Sequence, residues 1–329
     1  MKKILLIGST GFIGKKLKKE LVKNFILICP RKNQNFDITK KNELKKYLNE
    51  NIDIVINLSG QQNQNIKKTI NVINKGNLNI LDISKKIKKK ITLIFISTSL
   101  VYGNSNKIKK ENSQIKPLNA YEKTKYKIEK KYLKSSNDYL ILRFCNLYGG
   151  KKSKGLISLI LESIKRKKLF YFDNLKTFKN FIFIDDVINI LVYLINKNVK
   201  NKVLNIGNEN ISFANLVNKI NSISRNNFRF YNKDINIKQT VSQKIDNKLI
   251  KDIMKKYYFQ NLDKYLKISA GKTAPLFVAS IDGIAEISGR SELIENISHY
   301  FTSMGVCYQF ANDIQNVVGT DGAASPSSD

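Results

Sequence analysis

With 329 residues, 42% of them apolar, the chain can bury one sizeable core or two. Its net charge of +32 would ordinarily point to nucleic acid or a membrane surface. The lysines are instead scattered through every segment beside Asn and Ile, with no aromatic-interleaved basic stripe, so no nucleic-acid partner is expected. Cys29, Cys145 and Cys307 lack ligand spacing and His299 is the lone histidine, which leaves no basis for a metal site or a histidine triad.

The start, Met1-Lys2-Lys3-Ile4-Leu5-Leu6-Ile7, has the look of a secretory leader, but Gly8, Ser9 and Thr10 end the apolar run and Lys15 and Lys16 follow. No run of about 18 apolar residues occurs, so no membrane span is expected and the protein should be cytoplasmic. Lys3–Gly8 reads as a strand and Phe12–Lys23 as a helix. Between them lies Gly8-Ser-Thr-Gly11-Phe-Ile-Gly14. Gly8 permits a tight turn, Gly11 lets backbone approach a pyrophosphate, and Gly14 allows close helix–strand packing, with the helix N-terminus facing the phosphates. Gly8, Thr10, Gly11, Phe12, Ile13 and Gly14 are therefore candidate dinucleotide contacts.

Phe25–Cys29 reads as a second strand. The residue after such a strand commonly chooses the cofactor: an acid binds a ribose 2′-hydroxyl, an arginine a 2′-phosphate. Here the chain runs Cys29-Pro30-Arg31-Lys32 with no acid, which points to NADP, with NAD as the alternative. Lys41–Leu48 is a helix, and Ile52–Leu58 and Thr92–Ser97 are buried strands with a long helical stretch between them. Strands alternating with helices imply a parallel α/β sheet.

The strand at 92–97 ends in Ser97-Thr98-Ser99-Leu100-Val101-Tyr102-Gly103, a cluster of hydroxyls able to bond a reacting sugar oxygen. Tyr121–Tyr132 reads as a helix opening on Tyr121-Glu-Lys-Thr-Lys125, and Tyr139–Phe144 as the next strand. Four residues are about one helical turn, so Tyr121 and Lys125 share a face. A neighbouring ammonium should lower the phenol pKa and make Tyr121 a general base, and the same lysine can hold the nicotinamide ribose.

Taken in order, these features resemble the extended short-chain dehydrogenase/reductase family of sugar-nucleotide epimerases, dehydratases and 4-ketoreductases. The likeness runs from Lys2 to about Leu266. Its anchors are GSTGFIG, Asp37-Ile38, DIVINLSG at 53–60, STSLVYG at 97–103, Tyr121/Lys125, Arg143-Phe-Cys-Asn146-Leu-Tyr148-Gly149, NFIFIDDV at 180–187 and Asn205-Ile-Gly207. The resemblance implies a Rossmann-type doubly wound parallel sheet with a small substrate-binding subdomain. It implies that Asp37 and Ile38 flank the adenine and that Leu58, Ser59 and Gly60 border the cofactor. By the same resemblance Thr98, Tyr121 and Lys125 are catalytic, Ser99 is the neighbouring alternative to Thr98 on the substrate side, and Asn146 lies near a nucleotide-sugar diphosphate. A homodimer is one assembly the resemblance allows. Two departures narrow the chemistry. Dehydratases of the family carry an Asp-Glu pair directly after the catalytic Thr, where this chain has Ser99 and Leu100. Leucine cannot abstract a proton, so an epimerase or a ketoreductase is expected. Lys179-Asn180-Phe181 stands where the family reads Arg-Asp-Phe.

The composition breaks near residue 267. Up to Leu266 the only alanines are Ala120 and Ala214, whereas the last 63 residues hold seven. Three basic against seven acidic residues give that tail −4 and leave +36 for residues 1–266. Two segments are expected, 1–266 and a helical appendage at 267–329, with the final Gly-Ala-Ala-Ser-Pro-Ser-Ser-Asp disordered. Lys272-Thr273 and Asn312-Asp313-Ile-Gln-Asn316 resemble the diphosphate-binding KT and Mg²⁺-binding DDxxD runs of trans-isoprenyl diphosphate synthases. Only one carboxylate of three remains, and neutral amides are weak Mg²⁺ ligands. The tail is expected to be catalytically silent. The competing readings are a prenyl-diphosphate enzyme acting through Lys272 and Asp313, and a dinucleotide-binding protein without turnover.

Overall fold

The computed structural model describes residues 1–31, 36–60, 65–149, 155–224, 228–236, 240–255 and 259. In chain order its elements are β1 (Lys3–Ile7), α1 (Phe12–Leu21), β2 (Ile26–Ile28), α2 (Lys41–Lys45), β3 (Ile54–Asn57), α3 (Ile66–Ser84), β4 (Thr92–Thr98), a 3-10 helix (Ser99–Tyr102), β5 (Ser105–Lys109), α4 (Ala120–Leu133), β6 (Asp138–Phe144), β7 (Asn146–Tyr148), α5 (Leu156–Lys165), β8 (Phe170–Phe172), β9 (Phe178–Phe183), α6 (Ile184–Asn196), β10 (Lys202–Ile206), β11 (Glu209–Ser212), α7 (Phe213–Ser224), β12 (Phe230–Asn232), β13 (Gln243–Ile245) and α8 (Lys248–Ile253). They fall into two compact units. The described residues of the first lie within Met1–Leu147, Thr177–Asn210 and Ile237–Phe259, and those of the second within Tyr148–Lys176 and Ile211–Asn236.

The first unit is built on a six-stranded sheet in the order β10-β6-β4-β3-β1-β2, each described pair parallel. Its strands read as continuous apolar runs because both faces are covered. Ile4, Leu6, Ile54, Ile56, Ile94, Leu140 and Leu142 point to one face, where Leu17, Leu21, Val187, Leu191 and Ile250 of α1, α6 and α8 close over them. The alternate residues Leu5, Ile7, Val55, Leu93, Phe95 and Ile141 point to the other, under Leu44, Ile73, Ile80 and Ile128 of α2, α3 and α4. The period-2 alternation along each strand thus feeds two separate cores. Chain order reverses between β1 and β3, which opens a crevice at the carboxyl ends of those strands. β11-β9-β7 form a second, three-stranded sheet.

The described part of the second unit pairs β12 with β8 in parallel and sets Phe213, at the start of α7, against Phe172 of β8. Its core is aromatic. Phe172 stands 5.1 Å from Phe213, 6.2 Å from Phe228 and 6.1 Å from Phe230, centroid to centroid, and 4.9 Å from Phe170. Among the described residues no helix is long and apolar enough to cross a membrane. The tail motifs, Lys272-Thr273 and Asn312–Asn316, lie outside the described residues.

Candidate active site

The phosphate loop sits in the crevice. Gly8, directly after β1, has φ +84°, and a Cβ there would stand 3.1 Å from the Leu58 carbonyl carbon. A side chain at Gly14 would collide with the Gly8 oxygen at 2.1 Å, so α1 leaves the loop only because position 14 is bare. Gly11 closes the turn through its N–H to the Gly8 carbonyl, 3.0 Å, and serves as N-cap of α1 with no side-chain cap and no acid in the first turn. The first N–H groups of a helix need partners, and here no side chain supplies one at the cap. A Cβ at Gly11 would meet only the Gly8 oxygen, at 3.3 Å, so this glycine is exposed for a reason other than crowding within the fold. Together these features fit an anionic pyrophosphate on the helix N-terminus.

The structure brings the other expected cofactor residues to the same strand ends in unequal ways. Leu58 bonds the Ile7 carbonyl, and Ser59 donates its N–H and hydroxyl to Asn57 Oδ1 at 3.0 and 2.6 Å. Gly60 has φ +85°. Thr10 is exposed and Phe12 and Ile13 are half-buried. Just past the end of β2, burial pushes the Cys29 thiol up. Arg31, two residues on, is exposed. Asp37 caps the turn into α2 by accepting from the N–H and hydroxyl of Thr39, 2.9 and 2.8 Å. Ile38 is 5% exposed and belongs to the core under α3, where it leaves no room for a Cβ at Gly76, so any adenine contact from it is through its backbone.

The catalytic candidates converge where α4 packs on β4 and on the 3-10 helix. Asn119 caps α4, its side chain accepting from the Glu122 N–H at 3.0 Å. One turn in, Lys125 is buried. Its Nζ donates to the Ile96 carbonyl at 2.7 Å and lies 5.1 Å from the Phe95 ring centroid and 5.8 Å from that of Tyr121. Burial pulls this ammonium down to about 8, against the partly restoring charge of Glu129. The expected lowering of the Tyr121 phenol is not found. Burial, with the Glu122 charge behind it, pushes the phenol up to about 12. Two physical reasons account for the correction: desolvation outweighs a cation that faces the ring, and that cation is itself weakened by burial.

Thr98 ends β4 with its Oγ1 accepting from the Leu100 N–H at 3.2 Å. That bond occupies a lone pair and leaves the hydroxyl proton available to donate. Ser99 differs. It is 2% exposed, against 8% for Thr98, and is the more enclosed of the two hydroxyls. Asn146 spends its amide on the Asn180 carbonyl at 2.9 Å. Asn180, at the position where an acid was expected, accepts from the Asn208 N–H at 3.1 Å and donates to Asn210 at 2.9 Å.

Beneath these residues lies a buried polar network that sequence reasoning missed. Glu129, 0% exposed, holds Arg143 through Nε at 3.1 Å and Nη2 at 2.7 Å, and accepts from the Ser97 hydroxyl. Arg143 also donates to the Tyr102 hydroxyl at 2.8 Å, and that hydroxyl passes its proton to Asn205 at 2.7 Å. Burial opposes the Arg143 charge, but the Glu129 contacts more than restore it. A buried pair is retained only when such bonds satisfy it, and here it fixes α4 against β4 and β6. Two signals were available: Glu129 continues the four-residue spacing of Tyr121 and Lys125, and Arg143 is a charge inside an apolar strand that demands a partner.

The family described as NAD dependent epimerase/dehydratase matches residues 4–207, and polyprenyl synthetase matches residues 207–325. The second match begins well before the composition break and takes in β11 and α7. The dTDP-D-glucose 4,6-dehydratase of Dictyostelium discoideum is 31% identical, over 68% of this chain and 62% of its own length, so this chain spans less than two thirds of that relative. The GDP-6-deoxy-D-talose 4-dehydrogenase of Aggregatibacter actinomycetemcomitans is 26% identical over 62% of this chain and 74% of its own. Among solved structures, the UDP-glucuronic acid 4-epimerase of Bacillus cereus, in complex with UDP-glucuronic acid and NAD, superposes with a TM-score of 0.68 at 22% identity. It covers 80% of this chain and 96% of that one. RMD of Pseudomonas aeruginosa, complexed with NADPH, gives 0.68 at 20% identity, covering 81% and 97%. At these identities the structural likeness shows the fold.

Proposed function

Because the chain belongs to the NAD dependent epimerase/dehydratase family, we propose that it is a cytoplasmic NADP(H)- or NAD(H)-dependent enzyme that acts on a nucleoside-diphosphate sugar as a 4-epimerase or 4-ketoreductase. The observation that carries this reading is the packing of α4, with Lys125 Nζ 5.8 Å from the Tyr121 ring centroid, on β4, the strand that ends at Thr98, in the same unit as an open glycine cradle on α1. The nicotinamide, when bound, supplies and takes up hydride. The chain's own residues do the rest. The α1 N-terminus and the bare Gly11 hold the pyrophosphate. Thr98 donates its free hydroxyl proton to the sugar oxygen, and Tyr121 moves a proton to or from that oxygen. Lys125, one turn along α4 from Tyr121, is positioned to bond a ribose hydroxyl.

Dehydration fits less well although a dehydratase is among the relatives. The positions after Thr98 are Ser99 and Leu100, and neither carries a carboxyl to serve as the acid and base of water elimination. The exposed Arg31, with no acid at the end of β2, supports NADP(H). We take residues 267–329 to be a catalytically silent appendage, since Asn312-Asp313-Ile-Gln-Asn316 offers a single carboxylate.

The test is a titration of purified protein with NADPH and NADH, followed by an assay on UDP-glucuronic acid, UDP-glucose, dTDP-glucose and GDP-6-deoxy-D-talose. NADPH should bind tighter, Arg31→Glu should reverse that order by about tenfold or more, and at least one sugar should turn over. Tighter NADH binding by wild type would shift the reading to an epimerase that retains NAD. Failure to bind either cofactor would end it.

A further inference from the structure

Gln243 opens β13 in the first unit, far along the chain from every residue discussed above, and is 2% exposed. Its Nε2 donates to the Ser99 carbonyl at 3.1 Å. Its Oε1 is buried and accepts no hydrogen bond among the described residues. An apolar side chain of the same shape would avoid that orphaned oxygen, so the fold alone gives little reason for a carboxamide here. The backbone is also shaped for it. β13 pairs with β5 in parallel, and the register breaks between Gln243, opposite Ser105, and Lys244, opposite Ile108. An irregularity of this kind re-aims a side chain. The segment is pinned on both sides of the break, since the Ser242 N–H donates to Asn104 at 2.8 Å and the Ile245 N–H donates to Asn210 Oδ1 at 2.8 Å.

The carbonyl that Gln243 holds belongs to the same planar peptide unit as the N–H of Leu100. That N–H donates to Thr98 Oγ1. One peptide is therefore grasped at both ends, by Gln243 at its oxygen and by Thr98 at its hydrogen. Rotation of the plane would break the second bond and free the Thr98 side chain to change rotamer. We propose that Gln243 is a positioning residue: by clamping the Ser99–Leu100 peptide it fixes the rotamer in which Thr98 presents its hydroxyl proton to the sugar. This rests on the reaction assigned above.

The experiment uses the full chain and whichever of the four sugars wild type turns over fastest. Gln243→Met keeps length and removes the donor. Its kcat should fall roughly tenfold to a hundredfold, the cost of a misplaced catalytic group, while NADPH affinity and Tm stay level or Tm rises. Thr98→Ala should cost at least as much, and adding Gln243→Met to it should cost nothing further, because the clamp acts only through Thr98. If Gln243→Met is unstable, Gln243→Glu replaces it: protonated, it donates to Ser99 as the glutamine does, so its kcat should approach wild type at acidic pH and fall as pH rises. Wild-type kcat in Gln243→Met, losses that multiply in the double variant, or a pH-independent Gln243→Glu would each overturn the inference. Loss of cofactor affinity in parallel with kcat would do so too, by showing a structural role. A wild-type chain that binds NADPH but turns over none of the sugars would instead remove the reaction on which the inference rests.

Discussion

The two units of the molecule are built from different side chains and carry different kinds of information. The first is aliphatic, with Ile, Leu and Val on both faces of a parallel sheet, and every catalytic and cofactor candidate lies in it. The described part of the second rests on Phe170, Phe172, Phe213, Phe228 and Phe230 and carries none of those groups. A parallel sheet collects its loops at the carboxyl ends of the strands, so chemistry there comes from short, recognisable turns. An aromatic cluster has no such edge, and its residues say only that they are buried. Damage to the first unit should therefore appear in chemistry, and damage to the second in stability and sugar choice.

The strongest way to break that contrast is Tyr121→Phe, which removes a transferable proton and nothing else. Turnover should fall about 10²–10⁴-fold with NADPH affinity nearly normal. A variant with near-full activity would place the acid–base role elsewhere. In the second unit Phe172→Ala should lower unfolding free energy by about 3–5 kcal/mol in denaturant, again without changing NADPH affinity. Its mirror image is Gly11→Val, which the first unit should tolerate, since a Cβ there meets only one atom, at 3.3 Å. That variant should lose cofactor binding while its melting curve barely moves.

A smaller effect comes from Lys125. Its folded pKa lies at about 8, below the ordinary 10.5, so between those values the unfolded chain holds a proton the folded chain has released. Stability of wild type relative to Lys125→Met should accordingly rise as pH climbs from about 8 to 10.5. The total is at most about 3 kcal/mol, and it should appear as a growing gap between the two melting temperatures. A difference that stays constant over this window would show that Lys125 is charged and well solvated. The smallest expected effect is none: removing residues 267–329 should leave turnover per folded molecule unchanged. A folded, cofactor-loaded truncation without activity would mean that the tail helps to build the substrate site.

Much of the first unit was legible residue by residue. The expected strand Lys3–Gly8 is β1 to within a residue, the expected helix Tyr121–Tyr132 is α4, and the expected strand Tyr139–Phe144 is β6. Those elements announce themselves because apolar spacing and glycine placement are local properties of the chain. The second unit was barely anticipated: β8, β12 and α7 were not singled out, because short aromatic strands paired across sixty residues leave no periodic trace.

The sequence by itself determined the parallel α/β class, the phosphate loop, and the pairing of Tyr121 with Lys125, all of which depend on spacings of seven residues or fewer. Only the tertiary structure decided how those groups behave. It buried the Tyr121 phenol deeply enough to push it up where a lowering was expected, and it set the Leu100 N–H on Thr98 Oγ1 while leaving Thr98 its proton. It also carried Gln243 across the chain to the Ser99 carbonyl. The reason is common to all three. Desolvation and hydrogen-bond partners are set by atoms brought together from distant parts of the chain, and residue identity at one position does not say what will surround it.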